Sequence, residues 1–183
     1  DLDQDGWQDI FVGIGSWFAP TRSSTNMLYH NRRGAFVEDT ASFGLDDIVP
    51  TYSFVSLDFD GDGDIDIIRP PEGHTAIVHR NEKPAGPALW VHLRDEIGNR
   101  MGVDARVTIC VDGQTTIRPG KCQTRPVNAS GGYMSFDPIA AHFGLGSARS
   151  VSLITVIWRD GTRTTVMPDD MLGGEVIIRR TGG

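Results

Sequence analysis

Two runs of alternating aspartate constrain this chain more than any other feature. One reads Asp1-Leu2-Asp3-Gln4-Asp5-Gly6-Trp7-Gln8-Asp9, the other Asp58-Phe59-Asp60-Gly61-Asp62-Gly63-Asp64-Ile65-Asp66. Both follow D-x-D-x-D-G-x-x-D and run into β-prone segments, Ile10-Phe11-Val12 and Ile67-Ile68. Carboxylates at alternate positions converge on one hard cation only if the backbone wraps around it. Glycine at the sixth position permits the turn, and the seventh residue adds a main-chain carbonyl. The spacing assigns Asp1, Asp3, Asp5, Asp9 and the Trp7 carbonyl to one site. It assigns Asp58, Asp60, Asp62, Asp66 and the Asp64 carbonyl to a second. An all-oxygen set in a flexible loop predicts Ca2+ at both, in preference to zinc, copper or magnesium. An EF-hand needs a glutamate at the twelfth position and flanking helices. Val12 and Arg69 stand there instead, between β-prone flanks, which excludes it.

The acidity of the chain is local. Formal net charge is -7 over 183 residues, and the eight aspartates assigned as side-chain ligands outweigh it alone. No basic patch with interleaved aromatics appears, which argues against nucleic acid. No apolar run approaches the ~20 residues of a membrane span, so membrane insertion is not expected. With 39% hydrophobic residues, 22 Gly and 10 Pro, the chain reads as turn-rich and globular. Residue 1 is already a metal ligand with no strand before it, which predicts a fragment, a processed chain, or a loop completed by a neighbour.

Cys110 and Cys122 sit in β-prone segments, 106–111 and 121–125, on either side of a turn-rich stretch. Antiparallel pairing with the two cysteines opposite each other would allow a disulfide across the hairpin, while two buried free thiols are the alternative. The disulfide is the expectation, because weak solvent-facing calcium loops suit an extracellular and therefore oxidising setting. Asn128-Ala129-Ser130 fits the N-glycosylation pattern, a triplet common by chance.

Alternation punctuated by turns dominates, and the first 80 residues contain a repeat. The two aspartate loops start 57 residues apart, and Met27-Leu28-Tyr29-His30-Asn31 returns as Ala76-Ile77-Val78-His79-Arg80-Asn81. A repeat of several short strands suggests propeller blades. An aspartate loop, a strand, Leu28-Tyr29-His30-Asn31 and then Gly34-Ala35-Phe36 together resemble the FG-GAP/VCBS repeat of integrin-type β-propellers. The resemblance implies that each calcium loop joins strands of a blade. Two repeats cannot close a propeller, so part of one is expected.

Residues 82–88 have the composition of a linker, and Leu89-Trp90-Val91-His92-Leu93 opens a second unit. Four segments follow in order: Ile97 to Val107, Asn128 to Ser135, His142-Phe143-Gly144-Leu145-Gly146, and Val156-Ile157-Trp158-Arg159-Asp160-Gly161-Thr162. Together they resemble the ASPIC/UnbV domain, whose usual order is N-R-x-G-x-G-A-R-V, a glycine-rich segment, H-F-G-L-G and V-x-W-P-x-G. Here Val103-Asp104 replaces the small pair and Arg159 the proline, and the segment from Asp112 to Gly120 is extended. ASPIC/UnbV domains commonly follow FG-GAP repeats at the C-terminus of secreted proteins.

The expected fold is therefore all-β. Partial β-propeller-like FG-GAP/VCBS repeats occupy 1–81, a linker 82–88, and a small β-sandwich or barrel ASPIC/UnbV domain 89–180. Asp160-Gly161 reads as a hairpin turn, and 143–146 as a tight connection with a packed Phe and Leu. Five histidines (His30, His74, His79, His92, His142) form no zincin-type spacing, no nucleophile elbow occurs, and Asp104, Glu96 and Asp137 are isolated acids. No enzyme is expected. The functional expectation is a secreted or cell-surface adhesion module with structural calcium. One alternative is a self-assembling subunit, in which a neighbouring chain or other protein partner completes an open β edge. Another is a carbohydrate-binding or hydrolytic module, with Trp7, Trp17 and Phe18 stacking on glycan rings.

Overall fold

The computed structural model describes residues 1–15, 25–71, 75–83 and 86–181. His74, Trp17 and Phe18 lie outside them. Among the described residues the structure is all-β, with one short 3-10 turn at Ala41–Phe43. It divides into two compact units. One comprises Asp1–Asp3, Trp7–Pro84 and Ser130–Pro138, the other Gln4–Gly6, Ala85–Ala129 and Ile139–Gly183. The two short excursions, Gln4–Gly6 and Ser130–Pro138, have no counterpart in the sequence reading.

The first unit holds two three-stranded antiparallel sheets. In one, β1 (Ile10–Val12), β2 (Met27–Arg32) and β3 (Ala35–Glu38) lie in chain order. In the other, β4 (Val55–Leu57), β5 (Asp66–Arg69) and β6 (Ile77–His79) do the same. The repeat is preserved in register. Ile10 faces Tyr29 after the first loop, and Ile67 faces His79 after the second. The two sheets sample different parts of one four-strand pattern. β4 precedes its loop, whereas β1 is the edge strand of its sheet among the described residues. Leu2, Leu28, Leu45 and Ile67 form the core, with Phe11, Phe43, Phe54 and Ile65 packed on it. Asp137, from the returning segment, accepts the Ser56 N–H at 2.8 Å.

The second unit is a two-sheet sandwich rather than a closed barrel. One sheet has the order β10 (Ala141–Gly144), β7 (Ala88–Asp95), β13 (Gly174–Arg180), with β13 parallel to β7. The other has the order β12 (Arg163–Val166), β11 (Val151–Ile157), β8 (Arg106–Val111), β9 (Cys122–Pro126). Alternate residues of both, among them Leu89, Val91, Leu93, Val107, Ile109, Phe143, Ile154 and Val156, make a continuous core. Burial at period two is what places one face of each sheet inward.

Cys110 pairs with Cys122 across β8 and β9, and the two form a disulfide. Asp160-Gly161 turns β11 into β12, with Trp158 N–H donating to Thr162 O at 2.9 Å. The expectation of a tight connection at 143–146 is corrected in part. Phe143 and Gly144 belong to β10 and pair with Leu89 and Ala88, and the turn begins only at Leu145. Pairing satisfies backbone groups that a buried loop would leave open, and Phe143 is fully buried. At Gly102 (φ 65°) a Cβ would come within 2.5 Å of the Leu93 side chain, so this turn admits no larger residue.

Candidate metal centre

In the second loop, the carboxylates of Asp58, Asp60 and Asp62 each place an oxygen within 4.8 Å of the others. Asp58 also shapes the turn, accepting Gly61 N–H at 2.7 Å and Gly63 N–H at 2.9 Å. Gly63 has φ 96°, a backbone state that glycine adopts without a Cβ penalty. In the first loop Asp1, Asp3 and Asp9, at the first, third and ninth positions, meet the same distance. Asp5 is exposed and lies in the Gln4–Gly6 stretch that groups with the second unit, where Gln4 O accepts the Gly146 N–H at 2.8 Å. Trp7 is 43% exposed.

The aspartate at the ninth position of each loop does something the motif did not announce. Asp9 accepts Leu2 N–H at 2.7 Å on one oxygen and Asn31 N–H at 2.8 Å on the other. Asp66 accepts Phe59 N–H at 2.8 Å and Asn81 N–H at 2.7 Å. Each clamps its loop to the strand two along. The aspartate at the third position is matched as well. His30 Nε2 lies 2.8 Å from Asp3, and Arg80, at the equivalent place in the repeat, donates to Asp60 at 3.2 Å. The recurring His-Asn and Arg-Asn dipeptides were the available signal for both contacts.

Asp64 carries the strongest electrostatic anomaly. Its residue is 6% exposed, and its Oδ1 has no hydrogen-bond partner. Burial, then the bond to Asp62 and the charges of Asp62, Asp66 and Asp60, push its carboxyl up to about 7. A buried carboxylate with an open oxygen among like charges is costly by itself. A divalent cation is the natural complement. The donor set is all oxygen, which fits Ca2+ and gives a soft metal nothing to prefer.

A second polar centre lies apart from the loops. Arg69 is fully buried and donates to Val49 O at 3.0 Å, Thr51 Oγ1 at 2.9 Å and His79 Nε2 at 2.8 Å, and it pairs with Asp47. This network was not foreseen, since an arginine ending a short strand reads as surface. Asn128 is exposed. His92 lies 3.9 Å from Glu175, and His142 stacks at 4.6 Å against Trp90.

Comparison with known families finds two matches along the chain. Residues 1–68 match the FG-GAP-like repeat, and residues 95–175 match ASPIC and UnbV. The chain joins an FG-GAP-like repeat segment to an ASPIC/UnbV domain. No curated protein matches it. The two families in this order, with the disulfide, mark an extracellular, adhesion-type module. No helix among the described residues is long and apolar enough to cross a membrane.

Proposed function

We propose that this chain is a secreted, non-enzymatic adhesion module whose two aspartate loops bind calcium structurally. The observation that carries the proposal is the Asp64 carboxylate, buried among three other acids with one oxygen unpartnered. Calcium that binds only the folded loops stabilises by about 1.4 kcal/mol per site at ten times Kd. For a domain of this size that is a melting-temperature rise of roughly 3–5 °C per site. The test is thermal unfolding in excess EGTA and then in millimolar calcium. A rise in melting temperature is expected, and an unchanged transition would sink the proposal.

Self-association is a second reading with an observation of its own. β4 covers the edge of β5, but the matching edge of β1 bears no strand among the described residues. Beside it lies a cavity of about 310 Å³ lined by Leu2, Ile10, Phe11, Phe54, Ile65 and Ile67, among others. An edge strand beside apolar side chains pairs readily with a further strand, and a neighbouring chain is one source of it. Particle size, followed in the same calcium titration, tests this. Calcium-dependent oligomers support it, and a monomer at high concentration with calcium contradicts it. Two of the three aromatics in the glycan reading lie outside the described residues.

A further inference from the structure

We propose that the Asp64 side chain, and not only its carbonyl, is a ligand of the second loop's cation, and that this loop fills before the first. The inference rests on the calcium reading above and deepens it. In the D-x-D-x-D-G-x-x-D pattern the seventh residue is required only for its backbone. The first loop accordingly has Trp7 there, a side chain with no ligand atom, 43% exposed. The second loop has Asp64, 6% exposed, with Oδ1 unpartnered and the carboxyl bonded to Asp62.

The two loops therefore differ by one carboxylate at otherwise matched positions. Asp58, Asp60, Asp62, Asp64 and Asp66 stand against Asp1, Asp3, Asp5 and Asp9. Calcium affinity follows the number of charged ligands and the rigidity of the site, so the fifth carboxylate favours the second loop. Arg80 opposes this by pairing with Asp60, but its side chain is 53% exposed and it also pairs with Glu82. An exposed pair of this kind is screened and weak. His30 makes the equivalent contact with Asp3 in the first loop. What remains is a buried carboxylate, bonded to Asp62, with Oδ1 still unpartnered. The competing account is a proton shared between Asp62 and Asp64, with no cation at Asp64.

Terbium separates the two accounts, because it seeks the same oxygen ligands as calcium and emits when excited through a nearby tryptophan. Trp7 sits within the first loop, and the second contains no tryptophan. Terbium is titrated into the 183-residue chain, with binding heat and tryptophan-sensitised emission recorded together, and Trp7→Phe assigns the emission to the first loop. In the native chain the first equivalent should release heat with little emission, and the second should bring the emission. Asp64→Asn keeps the carbonyl and the side-chain shape but removes the charge. It should weaken the earlier step about ten-fold or more, so that emission begins with the first equivalent. Thermal unfolding of the metal-free variant checks that it folds. Emission with the first equivalent in the native chain, or unchanged binding in Asp64→Asn, overturns the inference while leaving calcium binding intact. No heat from terbium or calcium in either protein overturns both readings.

Discussion

The Asp66 carboxylate accepts the backbone N–H of Asn81 at 2.7 Å, and Asp9 does the same for Asn31 at 2.8 Å. The other oxygen of each returns to the second residue of its own loop, Phe59 or Leu2. One carboxylate thus ties a loop to a strand two along, and it does so twice. Asn81 adds a link between the repeats, its Nδ2 donating to Leu2 O at 2.6 Å. These bonds need no metal.

Asp66→Ala should therefore destabilise the protein even in EGTA. Two N–H groups lose a charged acceptor at a fully buried site, a cost of about 3 kcal/mol in urea unfolding. Asp60→Ala, at an exposed position, should cost little in EGTA and act mainly by lowering calcium stabilisation. Equal behaviour of the two variants without metal would mean that the clamp contributes nothing.

Much of this was legible from spacing. The aspartate spacing is plain in the sequence, and β8 runs from Arg106 to Val111, where β-branched residues are concentrated. The two glycines of 143–146 suggest a tight connection, yet tertiary pairing with β7 makes Phe143-Gly144 a strand. Arg69 was illegible for a different reason. Its burial depends on the 47–51 stretch, through Asp47, Val49 and Thr51, and on His79 of β6 converging on it, and no local pattern encodes that. The Asp64 carboxylate is similar, since the motif specifies the backbone at that position and only the fold shows where the side chain goes.

His79 should make the first unit sensitive to mild acid. Burial first, and then the charge of Arg69, hold its imidazole below its ordinary value, while Asp47 opposes them. The unfolded chain takes up that proton near pH ~6.5, and the folded chain resists it. Its contribution to stability is complete above about pH 6.5 and is lost as pH falls towards the lower folded value. Urea unfolding across pH 5–7 should show this slope, and His79→Gln should flatten it. An identical slope in the variant would place the sensitivity elsewhere.

Cys110 and Cys122 close a loop of sequence separation 12 at the β8–β9 hairpin. Constraining a loop of that size in the unfolded chain is worth about 3 kcal/mol. Cys110→Ser with Cys122→Ser should lower the stability of the second unit by roughly that amount and leave the response to calcium unchanged. A loss of calcium stabilisation in the double variant would show a coupling that this account lacks.

Acid should unfold the second unit through Arg180. Its Nε donates to Asp95 at 3.0 Å and its Nη1 to Asp160 at 2.7 Å, tying β13 to the end of β7 and to the Asp160-Gly161 turn. Asp160 is held down to about 2 by Thr162, with Arg180 adding to the effect, and Asp95 is lowered chiefly by Arg180. Unfolded aspartates protonate near pH ~3.9, so the unfolded state binds more protons as pH drops below that value. The stabilisation is present above about pH 4 and disappears as pH falls through about 2. Arg180 also stacks 4.7 Å from the Trp158 ring, so tryptophan emission reports the transition directly. Arg180→Gln should move the acid midpoint to higher pH and lower the melting temperature at pH 7 by on the order of 5 °C. A midpoint that stays where it is would mean that other carboxylates set the acid limit.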